Sequence, residues 1–139
     1  MVDPGLRTLL IERPIVVRTY DVDFANIVHN IVFLRWLEDL RSEILVDVLP
    51  IDAILETGVT PILTRTEIDY LWPVRIGDRV LGRMWVADLS HTRWTLAAEI
   101  ETGGRVCAAA RQMGYFADLK TLRPVRVPEQ LRRIYVLSH

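Results

Sequence analysis

Only one of the 139 residues is cysteine, Cys107, so neither an intrachain disulfide nor a cysteine metal cluster can form. Neither sign of charge predominates, because 17 Lys and Arg face 18 Asp and Glu for a formal net charge of −1. The basic residues are scattered, apart from a mildly basic tail through Lys120, Arg123, Arg126, Arg132 and Arg133, and this argues against nucleic-acid binding. Long apolar runs are also missing. Near the N-terminus only Leu9-Leu10-Ile11 occurs, flanked by charge and too short for a signal-peptide core or a membrane span. A soluble, cytoplasmic protein fits these features and the lone cysteine. There is no internal repeat, low-complexity tract or linker, so residues 1–139 read as a single domain. Half of the residues are apolar, enough for a real core.

The β-branched run Ile15–Tyr20 reads as a strand. After it, apolar residues recur at Phe33, Leu37, Leu40, Ile44 and Val48, and this spacing predicts a helix from Ile31 to about Leu49 that Pro50 stops. No other long helix is evident. From Thr60 the period changes to two: Ile62, Thr64, Thr66, Ile68, Tyr70 and Trp72 alternate with Leu63, Arg65, Glu67, Asp69 and Leu71. Pro73 and Gly77-Asp78 end that strand, and Arg79–Leu89, Thr92–Glu101 and Arg105–Asp118 read as three more. Thr102-Gly103-Gly104 forms a hairpin turn. One long helix against an antiparallel sheet is an α+β architecture.

Chemistry concentrates in Asp21-Val22-Asp23-Phe24-Ala25-Asn26-Ile27-Val28-His29-Asn30, where two carboxylates and an imidazole lie just before the helix. Unpaired N–H groups at a helix N-terminus attract developing negative charge, so a carboxylate and an oxyanion-binding helix end can converge here. The same residues have plainer readings. Asp23 reads also as the cap of a turn, His29 as a structural hydrogen bonder, and Asn30 as the N-cap of the helix.

Arg18-Thr19-Tyr20-Asp21-Val22-Asp23, Ile27-Val28-His29-Asn30 and Phe33–Arg41 together resemble the signature of the 4-hydroxybenzoyl-CoA thioesterase family of hotdog-fold acyl-CoA thioesterases. Glu67–Asp78 is similar to the strand-and-turn segment that follows the central helix in that family. The resemblance implies a long helix wrapped by a curved antiparallel sheet, self-association as a dimer or tetramer through one continuous sheet, and sites at the protomer interface. It implies that Asp23 is the catalytic carboxylate, as nucleophile or general base, and that Asp21 occupies a more variable position. His29 and Asn30 then supply catalytic groups, chiefly backbone N–H donors for an oxyanion hole, and Val28 contacts substrate. Ser90, Thr92 and Arg93 stand where the family holds the CoA phosphates, although the segment reads equally as a polar turn. The implied substrate is an acyl-CoA or acyl-carrier-protein thioester, with CoA as part of the substrate, no cofactor and no metal.

Three departures from the family pattern stand out. Asn26 replaces the usual glycine, and asparagine tolerates a left-handed backbone. Val32 and Phe33 stand where Asn and Tyr are common, which makes the site more apolar. Two other classes fit the same fold: a non-catalytic acyl-CoA-binding dimer, and a hydratase or dehydratase, for which the chain lacks the His followed by a Pro- and Gly-rich loop. The four tryptophans, Trp36, Trp72, Trp85 and Trp94, read as packing residues.

Overall fold

The computed structural model describes residues 7–138. Five strands, β1 (Thr8–Ile15), β2 (Val59–Tyr70), β3 (Val80–Leu89), β4 (Arg93–Thr102) and β5 (Arg105–Asp118), form one antiparallel sheet in the order β1-β3-β4-β5-β2. Helix α1 (Asn30–Val48) lies on one face, and α2 (Ile51–Thr57) and α3 (Glu129–Ser138) complete the fold. Inward residues of β4, Trp94, Leu96, Ala98 and Ile100, are all buried, as their alternation predicts. Against them α1 buries Phe33, Trp36, Leu37, Leu40, Ile44 and Val48. Full burial of each such side chain contributes roughly 1.5–3 kcal/mol. Gly82 lets α1 lie close to β3, because a Cβ there would stand 2.7 Å from Ile15 Cδ1 and 3.1 Å from Leu40 Cδ1.

The hairpin turn between β4 and β5 falls at Gly103 and Gly104, both at positive φ (58° and 78°), which is the two-residue geometry matching strand twist. Trp36 and Trp94 are core residues, while Trp72 and Trp85 carry the guanidinium groups of Arg105 and Arg7 on their rings.

Three expectations from the sequence need correction. The first strand is Thr8–Ile15 rather than Ile15–Tyr20. The Asp21 carboxylate accepts the Arg18 N–H (2.8 Å) and draws the β-branched run into a 3-10 turn at Thr19–Asp21. Pro50 stops α1 but also opens α2, since its fixed φ (−63°) suits a helix start, and Gly58 at φ 72° closes that helix. The end of the basic tail, with Arg132 and Arg133, lies in α3, whose Leu131 is fully buried and whose Ile134 packs against the core.

Both sheet edges are unpaired among the described residues. The longer is β2, whose only partner is β5.

Candidate active site

The segment before α1 folds into a miniature hairpin. His29 N–H donates to Asp21 O (3.0 Å), Val22 and Val28 form an antiparallel bridge, and Asp23 N–H donates to Ile27 O (3.0 Å). Val28 is buried and Val22 half-buried, so this pair faces the core. Strand alternation then places Asp23 and His29 on the opposite face, as diagonal neighbours with Cα atoms about 7–8 Å apart. Both are exposed.

At the tip, Asp23 Oδ1 accepts the N–H groups of Ala25 (2.9 Å) and Ile27 (3.0 Å), so the turn-forming reading holds for that oxygen. Oδ2 accepts no hydrogen bond among the described residues. One carboxylate oxygen thus fixes the loop and the other stays open. Asp21 is different: it is 5 % exposed, and its carboxylate serves the Arg18 turn.

The second sequence motif is the platform for this hairpin. Val28 N–H donates to Val74 O (2.9 Å), Ile76 N–H to Asn26 Oδ1 (3.0 Å) and the Arg75 guanidinium to Ala25 O (3.0 Å). Asn26 adopts φ 59°, the left-handed backbone expected of it, and its side chain adds a tie that glycine cannot make. Asp78 accepts the Arg75 N–H (2.8 Å) and holds the platform turn.

Helix α1 begins one residue earlier than expected. His29 is its N-cap residue and makes no side-chain cap bond, while Asn30 is the first helical residue. Asn30 is therefore not the cap, because the His29 N–H is already tied to Asp21 and fixes the helix start there. The His29 imidazole has no hydrogen-bond partner among the described residues. With the His29 N–H spent on Asp21 and the Val28 N–H on Val74, the N–H groups without an acceptor among the described residues are those of Asn30 and Ile31. Of the two N–H groups expected to be open, that of His29 is engaged and that of Asn30 has no acceptor among the described residues. Val28 points into the core, which leaves its side chain as packing.

Tyr70 was not singled out from the sequence. Its hydroxyl donates to Asn30 O (3.1 Å), its ring meets Phe33 edge-on at 5.4 Å, and desolvation raises its pKa. It pins the end of β2 to the start of α1. The available signal was its position in the second motif, just before the Pro73 break.

Ser90, Thr92 and Arg93 lie elsewhere. The Ser90 hydroxyl accepts the Arg93 N–H (3.2 Å) within the turn, and Thr92 O accepts from Phe116 N–H (2.8 Å). The exposed Arg93 guanidinium is unpaired among the described residues and borders a cavity of about 240 Å³. This turn is at the far end of β3 from the platform loop, roughly 30 Å away for a ten-residue strand. One protomer does not bring Arg93 to Asp23.

A cleft of about 700 Å³ runs between α1 and the β1 side, bordered by Arg18, Asp21, Arg35, Trp36 and Asp39 but not by Asp23. Among the described residues no three His, Cys, Asp or Glu side chains gather to hold a metal ion, and no helix is long and apolar enough to cross a membrane.

Solved structures share this architecture. A thioesterase of Thermus thermophilus, complexed with coenzyme A and Zn, is 26 % identical with a TM-score of 0.77, covering 94 % of this chain and 95 % of that one. A predicted thioesterase from Bacillus stearothermophilus is 25 % identical with a TM-score of 0.80, covering 89 % and 92 %. A Staphylococcus aureus protein in complex with CoA superposes at a TM-score of 0.87 over 98 % of this chain and 87 % of its own, at 15 % identity, and shows the fold alone. The fold is the hotdog. A comparison with curated proteins finds no match. Residues 17–134, which include the Asp23 hairpin, its platform and the whole sheet beyond β1, match the thioesterase-like superfamily, and to that superfamily the chain belongs.

Proposed function

We propose that this protein is an acyl-CoA thioesterase of the 4-hydroxybenzoyl-CoA thioesterase type, with Asp23 as its catalytic carboxylate. The observation that carries the reading is the half-used carboxylate: Oδ1 is held by two backbone N–H groups while Oδ2 is open beside a helix start with unpaired donors. A thioester carbonyl needs a nucleophile or activated water and a place for the oxyanion. Asp23 Oδ2 supplies the first, by attacking the carbonyl carbon or by taking a proton from water, and the Asn30 and Ile31 N–H groups supply the second. The C–S bond then breaks, the thiolate leaves and takes up a proton, and the free acid remains. Hydrolysis through an acyl-Asp intermediate has the same balance.

The site is completed by a second copy. Tyr20, Phe24, Ile31, Leu71, Trp72 and Ile76 are exposed around the hairpin and helix start, and the adjoining β2 edge is unpaired among the described residues. Two β2 edges related by a two-fold axis run antiparallel, so the Tyr70 end of one meets the Val59 end of the other. Val59 pairs with Asp118, and Arg93 with Tyr115, so Arg93 lies toward the Val59 end. The partner's Arg93 thereby approaches Asp23 from across the axis, suited to the phosphates of an extended thioester carrier.

The Thermus thermophilus thioesterase bound to coenzyme A supports CoA as that carrier. The decisive experiment is hydrolysis of matched CoA and acyl-carrier-protein thioesters with free-thiol detection. Enzyme-dependent thiol release supports the reading. Binding of a CoA thioester without release supports the non-catalytic alternative.

A further inference from the structure

Accepting the thioesterase reading, we infer that the acyl group lies along the β2-side flank of α1 and that Glu38, Arg41 and Gln112 set its maximum length. From the helix start, Ile31, Leu34, Glu38 and Arg41 follow one another at helical spacing on one stripe. Ile31 and Leu34 are exposed apolar side chains, 59 % and 41 %, in the first two turns beside the unpaired Asn30 and Ile31 N–H groups. The other flank is unsuitable, because Arg35, Asp39 and Glu43 face the β1-side cleft with charge at successive turns.

The apolar stretch ends abruptly. Arg41 pairs with Glu38 and donates to Gln112 Oε1 (2.7 Å), and Gln112, 4 % exposed, donates in turn to Thr66 Oγ1 (3.2 Å) on β2. The network bridges helix, β5 and the edge strand. Its polar groups satisfy one another, and displacing Arg41 for an alkyl chain leaves the buried Gln112 Oε1 without that partner. Asn30 to Glu38 is eight residues, about 12 Å of helix, and at roughly 1.25 Å per extended carbon this accommodates about ten carbons from the carbonyl. Up to that length each buried methylene is worth about fourfold in binding. Beyond it the gain stops and the network must open. Saturated groups to about ten carbons are accepted, and longer chains are disfavoured.

The test is kcat/KM across saturated acyl-CoAs from four to sixteen carbons, below their micellar concentrations. For the wild type the ratio for sixteen against eight carbons should be about 0.1 or less. In Glu38→Leu/Arg41→Leu it should rise at least about tenfold. Glu38→Leu alone changes a side chain that is 61 % exposed, so it spares the fold, and it should give a smaller rise. Asp39→Leu, on the opposite flank, should leave the ratio unchanged. A wild-type ratio near one, or folded Glu38 and Arg41 variants with an unaltered profile, overturns the inference while leaving the thioesterase reading intact. No hydrolysis at any chain length overturns that reading, and this inference with it.

Discussion

Replacing Asp23 by Asn separates chemistry from folding more cleanly than any other change in this protein. The Asn Oδ1 still accepts the Ala25 and Ile27 N–H groups, and the amide nitrogen replaces an oxygen that bonds nothing among the described residues. What weakens is the charge assistance to two hydrogen bonds, a loss on the order of 1 kcal/mol, or a few degrees in Tm for a chain of this size. The chemical step loses much more. An amide neither attacks a thioester usefully nor removes a proton from water, and the loss of such a group costs at least about a hundredfold, or about 2.7 kcal/mol in the barrier. Asp23→Ala is less informative, since it leaves two N–H groups without an acceptor and loosens the hairpin that shapes the helix start. Thiol release and a thermal melt on the Asn variant check both parts. A variant that melts near the wild type and turns over at its rate would refute the role of Asp23.

The Asn26 tie predicts an order of stability. Asn26→Ala keeps the left-handed strain and loses the bond to Ile76, so it should destabilise by about 1–2 kcal/mol, whereas Asn26→Gly loses only the bond and should melt higher than the Ala variant. Arg93→Ala should raise KM for acyl-CoA roughly tenfold and leave kcat within a few-fold, with no such effect on a short-thiol ester lacking phosphates; equal changes for both substrates would rule out phosphate binding by Arg93. Burial pushes the Cys107 thiol pKa up, and the thiolate is the reactive form, so native protein should resist thiol reagents at pH 8 and titrate one thiol once unfolded. Light scattering should find a dimer or tetramer at micromolar concentration, and a stable, active monomer would contradict the shared site.

Periodicity carried the fold where burial repeats regularly. The α1 stripe and the β2 to β5 alternation were legible because each element buries one face. Regions governed by a single competing bond were not. The β-branched run Ile15–Tyr20 has strand propensity, but the Asp21 carboxylate takes the Arg18 N–H and turns the chain. Pro50 reads as a stop, and only the following Gly58 at positive φ reveals the short helix between them. At the site, the motif marked the Asp23 segment but not how its two oxygens divide their work, since that depends on which N–H groups the turn delivers to Oδ1. The same holds for the helix start. Asn is the better cap by preference, yet the His29 N–H bond to Asp21 shifted the cap by one residue and left Asn30 and Ile31 as the open donors. The staple between the two motifs, through Asn26, Arg75 and Val74, is a long-range contact with no local pattern.

The most direct measurement is the time course of thiol release from an eight-carbon acyl-CoA by purified wild-type protein, with the Asp23→Asn variant and a non-hydrolysable CoA thioether as controls. The account predicts release proportional to enzyme, inhibited by the thioether and reduced at least about a hundredfold in the variant. Thioether binding without any thiol release above the uncatalysed rate would contradict it.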